Sequence, residues 1–308
     1  MDFLKKTFND FSNDGCTTLS ASLAYYTVFA LPPLLYLLVT VMTFGLSLTY
    51  ESKQAEEHAQ TLLQQQAAQM IGNQAATDEI ASIIESDRET GGQWWKTVIS
   101  FAAIIVGATG VVSAIQDALN RVWSVKPDPS RSGVKDFFLK RLLSLAMILG
   151  LGFLLLVSLI VSTVLSAVGN QVTGLIGTDE LIAQSINYVV QGFVTYVLFA
   201  SLFKFMPDAE IRWRDVAVGA GITTVLFLLG RFGLQFYLSQ SSPGAELGSA
   251  AASLAVILVW VYYSSMIFLL GAEATQVYAV QYGGGIRPQH GAVRVVESTR
   301  TTPSTATS

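Results

Sequence analysis

Apolar blocks alternate with short polar punctuation along the chain, and the blocks are longer than a soluble core helix needs. They fall at about 20–48, 97–119, 142–168, 181–205, 216–238 and 247–278. Each reaches or exceeds the roughly 20 residues a helix uses to cross about 30 Å of hydrocarbon. The pattern predicts an all-α, polytopic membrane bundle of six transmembrane helices. The first block is the most distinctive. From Thr17 to Thr49 it carries no Asp, Glu, Lys, Arg or His, it includes the pair Tyr25-Tyr26, and Pro32-Pro33 sit in its middle. Each proline lacks an N–H and crowds the preceding turn, so a kink or break is predicted near Leu31. In lipid the freed carbonyls need protein, hydroxyls or water, so this span should face other spans. Two outcomes stay open: a kinked anchor helix, or a broken helix lining a cavity as in transporters.

The polar stretches between the blocks are also patterned. Phe3, Leu4, Thr7, Phe8 and Phe11 recur at helical spacing beside Lys5 and Lys6, which predicts an interfacial amphipathic helix within residues 1–14. Asn13-Asp14-Gly15 offers its stop and a new N-cap. Within 51–95, Ala55, Ala59, Leu62, Leu63, Ala67 and Met70 mark one face of an extracytoplasmic amphipathic helix. Thr77 caps a second, short one before Gly91-Gly92 and the interfacial Trp94-Trp95. This segment reads as a spacer between spans or as a cover over a cavity. The 120–136 connector, with Pro127 and Pro129, is expected to be a loop. Gly283-Gly284-Gly285 ends the helices, and residues 281–308 read as a disordered tail rich in Ser, Thr and Ala.

Basic residues set the expected orientation. Fourteen of the 18 Lys and Arg fall at the N-terminus, the 120–141 connector and its flanks, the turn between spans four and five, and the tail. Lys53, Arg88 and Lys96 fall on the other side. The positive-inside rule therefore predicts cytoplasmic N and C termini and an even number of spans in a bacterial plasma (inner) membrane.

Composition agrees: 51% of residues are hydrophobic and 13% charged. The net charge of −4 and a pI near 5.2 leave no basic footprint for nucleic acid. Cys16 is the single cysteine, so no internal disulfide or cysteine-built zinc site is possible, and its expected role is that of a small buried residue. The two histidines, His58 and His290, fall on opposite sides of the predicted membrane. No catalytic or metal-binding spacing and no phosphate-binding glycine loop is present, so the chain reads as a non-enzyme without catalytic, cofactor or metal residues.

The candidate functional or structural side chains are polar groups within spans, because such groups are costly in hydrocarbon and normally find partners or water. Asp117, Asn120 and Arg121 sit near the cytoplasmic end of span two, and Glu273 near that of span six. Glu273 is expected to pair with a basic residue there, Arg121 first, forming a clasp, a gate or an anion-binding site. Arg231 lies some 24 Å from the cytoplasmic end of span five at about 1.5 Å per residue. It could snorkel outward, with Glu246 as the nearest acid, or hold an anionic substrate or lipid headgroup. Asn187 and Gln191 share a face of span four.

With these elements placed, Ala24-Tyr25-Tyr26, Leu31-Pro32-Pro33 and Gln116-Asp117-Ala118-Leu119-Asn120-Arg121-Val122-Trp123 become recognisable. Phe205-Met206-Pro207-Asp208-Ala209, Trp213-Arg214-Asp215, Gly219-Ala220, Trp260-Val261-Tyr262-Tyr263-Ser264 and Gly271-Ala272-Glu273 follow in order. The chain resembles the YihY/BrkB family of bacterial inner-membrane proteins from about Ser20 to Thr275. That family once carried the label ribonuclease BN, now regarded as mistaken. The resemblance implies a multi-span protein concerned with transport or envelope lipids, and no catalytic residues. The leading expectation is therefore a transporter, or a lipid- or small-molecule-handling protein, with a cavity near the first span. The alternative is a non-transporting envelope scaffold. Expected partners are membrane lipids and an anionic lipid or small-molecule substrate, with no nucleic acid. The oligomeric state is left open.

Overall fold

The computed structural model describes residues 2–47, 54–55, 57–61, 110–128, 180–240 and 249–296. The predicted span 142–168, most of 97–119, most of the 51–95 segment, Glu246 and the chain beyond 296 lie outside these residues. So do the side chains of Pro32, Pro33 and Asn187. Helices dominate: α1 (Asp2–Asn13), α2 (Cys16–Leu46), α3 (110–122), α4 (Glu180–Phe205), α5 (Trp213–Gln240) and α6 (Ser249–Gln281). Four short strands join them: β1 (Val125–Pro127), β2 (Ala209–Glu210), β3 (Arg287–Pro288) and β4 (Ala292–Arg294).

Among the described residues, Trp213–Gly233 and Leu254–Gln281 are long and apolar enough to cross a bilayer, with hydropathies of 1.7 and 2.1. Cys16–Leu31 and Gln191–Phe205 are shorter apolar helical stretches. These four coincide with the first, fourth, fifth and sixth predicted spans. At α1, the helix ends at Asn13, and Gly15 turns the chain with φ 66° before α2 begins. That left-handed conformation suits glycine, which has no Cβ to clash. α2 receives no side-chain cap there.

Of the two outcomes expected at Pro32-Pro33, a kink or a break, the break is corrected: α2 is helical without interruption from Cys16 to Leu46. Proline's fixed φ is itself compatible with a helix, and what it removes is a hydrogen bond. Packing on both sides of the pair continues the helix. Ala24 joins Val256, Ile257 and Val261 of α6 in one apolar cluster, with Leu31 and Val39 at its margin.

α6 is the mast of the bundle and touches α1, α2 and α5. Its lower half is buried nearly all round, from Ile267 through Thr275 with only Leu270 less covered. A helix apolar on every side needs neighbours on every side. α5 and α6 run antiparallel in close contact. A side chain at Gly219 would overlap Thr275, and one at Gly271 would overlap Thr223. The two Gly-x-x-x-Thr turns thus interlock reciprocally, the small-residue packing that brings membrane helices together. Higher up, Gly230 leaves room for Tyr263 and Ile267.

The 281–308 tail was expected to be disordered, and through residue 296 it is not. β3 pairs antiparallel with β2, and β4 with β1. Asp128 N–H donates to Gly291 O at 3.0 Å, Gln289 N–H to Asp208 O at 3.0 Å, and Val295 N–H to Ser124 O at 2.8 Å. Side-chain composition suggested disorder, whereas backbone groups of two distant loops order the segment. Arg121, Lys126, Lys204, Arg212, Arg214, Arg287 and Arg294 therefore gather at this strand-bearing end of the bundle.

Candidate functional site

At the strand end, α3 docks through its last two turns. Asn120 is buried, and its amide reads Asp208 twice: Nδ2 donates to the carboxylate at 2.9 Å, and Oδ1 accepts the Asp208 N–H at 2.8 Å. Gln116 Nε2 donates to the same carboxylate at 3.2 Å. Three residues on, Trp123 is 2% exposed, donates Nε1–H to Ala272 O at 3.3 Å, and meets Phe203 edge-on at 5.9 Å. Phe203 in turn stacks on Phe268 at 5.3 Å. Thus the polar face of α3 is fixed to the turn after α4, and Trp123, just past its end, to α4 and α6.

Glu273 is fully buried opposite the α1–α2 turn. The Cys16 thiol donates to its Oε1 at 3.4 Å, while Oε2 has no hydrogen-bond partner. The expected pairing with Arg121 is corrected. Arg121 is exposed at the end of α3 and donates to the Asp14 carbonyl at 2.9 Å. Both side chains meet the α1–α2 turn, Arg121 at the Asp14 carbonyl and Glu273 at the Cys16 thiol, and among the described residues no ion pair joins them. Cys16 is buried as expected, but it also acts as a hydrogen-bond donor. Asp117 lies exposed on the outer face of α3. Asp215, in the first turn of α5, is buried against Gly283 with Oδ2 lacking a partner, where the positive end of the helix dipole favours a carboxylate.

Far from this end, the structure joins two residues the sequence had marked separately. Arg231 Nη1 donates to Gln191 Oε1 at 3.2 Å, from α5 to α4. Arg231 lies 18 residues into α5, or about 27 Å at 1.5 Å per residue. Tyr25 and Tyr26 are exposed on α2, where Tyr25 packs with Phe29 at 4.6 Å. Tyr26 borders Gly110 of α3.

Sequence reasoning missed one feature. A cleft of about 590 Å³ opens between α4, α5 and the returning tail, lined by Lys204, Glu210, Arg212, Trp213, Gly284 and Arg287 among others. Lys204 and Arg212 flank the turn between α4 and α5, and Trp213 follows it directly, which was the available signal. Arg287 joins them only because β3 folds back onto β2, and nothing in the local sequence announces that.

The family described as Virulence factor BrkB matches residues 7–295. A UPF0761 membrane protein of Alcanivorax borkumensis is 26% identical over 88% of this chain and 58% of its own length. A UPF0761 membrane protein of Halorhodospira halophila is 27% identical over 89% of this chain and 57% of its own. The chain thus spans under two thirds of the length of these two relatives. The ribonuclease-like protein YfkH of Bacillus subtilis is 23% identical over 89% of this chain and 94% of its own. No solved structure matches. The apolar spans, the ordered strings and the match over nearly the whole chain agree, and the chain belongs to the Virulence factor BrkB family of bacterial membrane proteins.

Proposed function

We propose that this is a multi-span inner-membrane protein that transports or handles a lipid or small molecule, with a path reaching Arg231 from the end of the bundle opposite the strands. The observation that carries this reading is the Arg231–Gln191 hydrogen bond, made between two spans by half-buried side chains well inside α4 and α5. An ionisable group at that depth is costly in hydrocarbon and ordinarily faces water, a partner or a substrate. The Tyr263 hydroxyl, beside Gly230, adds a second polar group at the same level. The guanidinium suits an anionic solute or headgroup. Access from the strand end is opposed by the Gly219–Thr275 and Gly271–Thr223 contacts. On the predicted orientation, with both termini cytoplasmic, the path opens outward.

The same interlocked helices favour a second reading, a non-transporting envelope scaffold. The ribonuclease-like label of the Bacillus relative is not carried over, since among the described residues no group of three or more His, Cys, Asp or Glu could hold a metal ion for hydrolysis. Thiol labelling in intact cells separates the two remaining readings. In a Cys16→Ser background, Arg231→Cys should react with a membrane-impermeant thiol reagent, as should the exposed Ser47→Cys at the far end of α2. Reaction at 47 with none at 231 would leave the scaffold.

A further inference from the structure

We infer that the cleft at the strand end is a binding site for a phosphate group carried by an anionic phospholipid. This does not depend on the transport reading, since the site lies at the opposite end of α5 from Arg231. Three cations and one carboxylate line the cleft. Lys204 is held in place: Nζ donates to Ile211 O at 2.6 Å and lies 5.6 Å from the centre of the Trp213 ring. Arg212 lies against Gly284, where any side chain would overlap the guanidinium. Arg287 stands opposite Glu210 in the β2–β3 ladder. Among the described residues, neither Arg212 nor Arg287 forms an ion pair, although Glu210 lines the same cleft. The site therefore holds guanidinium groups whose planar forks match phosphate oxygens, with no carboxylate engaging them.

The surroundings select a lipid over a soluble anion. Trp213 lines the cleft, is 57% exposed, and meets Phe205, 61% exposed, at 5.8 Å. Phe205 closes α4 and Trp213 opens α5, so this aromatic pair stands where two apolar spans end. Rings in that position sit at headgroup level. A phosphodiester in the cleft would leave its acyl chains beside the exposed Phe205–Trp213 pair.

The test uses the full chain purified in detergent and read by native mass spectrometry during titration with phosphatidylglycerol, phosphatidylcholine or inorganic phosphate. Wild type should retain phosphatidylglycerol in preference to phosphatidylcholine. The triple variant Lys204→Gln, Arg212→Gln, Arg287→Gln should lose more than about tenfold in apparent affinity, taking roughly fivefold per surface charge. Should the triple variant unfold, Arg287→Gln alone should still lose about fivefold, with Arg214→Gln as the charge-matched control outside the cleft. Inorganic phosphate that abolishes lipid retention, or binds as well alone, would overturn the lipid as the source. Equal phosphatidylglycerol binding by wild type, Arg287→Gln and Arg214→Gln would overturn the site itself.

Discussion

At the scale of single residues, Asn120 does most to hold the strand end together, because one amide satisfies both the backbone and the side chain of Asp208. Asn120→Ala would orphan a part-buried N–H and strip a donor from a carboxylate, a change that costs about 2–3 kcal/mol. Asp208→Asn keeps the backbone bond to Asn120 and should cost less, under about 1.5 kcal/mol. Thermal or denaturant unfolding in detergent reads both, and equal losses would contradict this division. Asn120 was visible in the sequence as a polar residue at the end of an apolar block. Asp208 was visible only as a turn residue, since its role depends on a partner 88 positions away. Glu273 shows the converse failure. Its burial was foreseeable from its place in a span, but its neighbour was not, because the α1–α2 turn brings in a thiol where a guanidinium was expected.

At the scale of elements, apolar run length located α2, α4, α5 and α6, and amphipathic spacing located α1. Less legible was how they pack. The repeated Gly-x-x-x-Thr spacing at 219–223 and 271–275 was present in the sequence, yet only the antiparallel alignment shows that each glycine receives the other helix's threonine. Gly219→Ala should cost about 1–3 kcal/mol by overpacking. Thr275→Ala should cost little, since its hydroxyl bonds only to Gly271 O one turn back on its own helix. The double variant should recover most of the Gly219→Ala loss, with a coupling of about 0.5–3 kcal/mol in a double-mutant cycle. Strict additivity would mean the two helices do not meet as described. The unbroken α2 teaches a similar lesson: local chemistry at Pro32-Pro33 left a kink or a break open, whereas packing along α6 on both sides of the pair keeps the helix unbroken.

Across the whole molecule, residues 282–296 after α6 are structural rather than loose. Ending the chain after Gly285 would remove β3 and β4 and leave the backbone groups of β1 and β2 without partners. That truncation should lower the unfolding midpoint by several degrees, at about 2–4 °C per kcal/mol. Ending it after Val296 should leave the midpoint nearly unchanged. Equal midpoints would show that the ladders contribute nothing. The sequence hid this because the strands are two or three residues long, too short for any periodicity to register.

The pairing of β1 with β4 also bears on how the protein is made. Residues 125–127 leave the ribosome long before 292–294 exist, so the junction cannot form while the intervening helices are being threaded into the bilayer. Closure of a loop that large is slow, and its ends must wait for the final helix to insert. The bundle therefore stays unlatched until residues 292–294 have been made and reach β1.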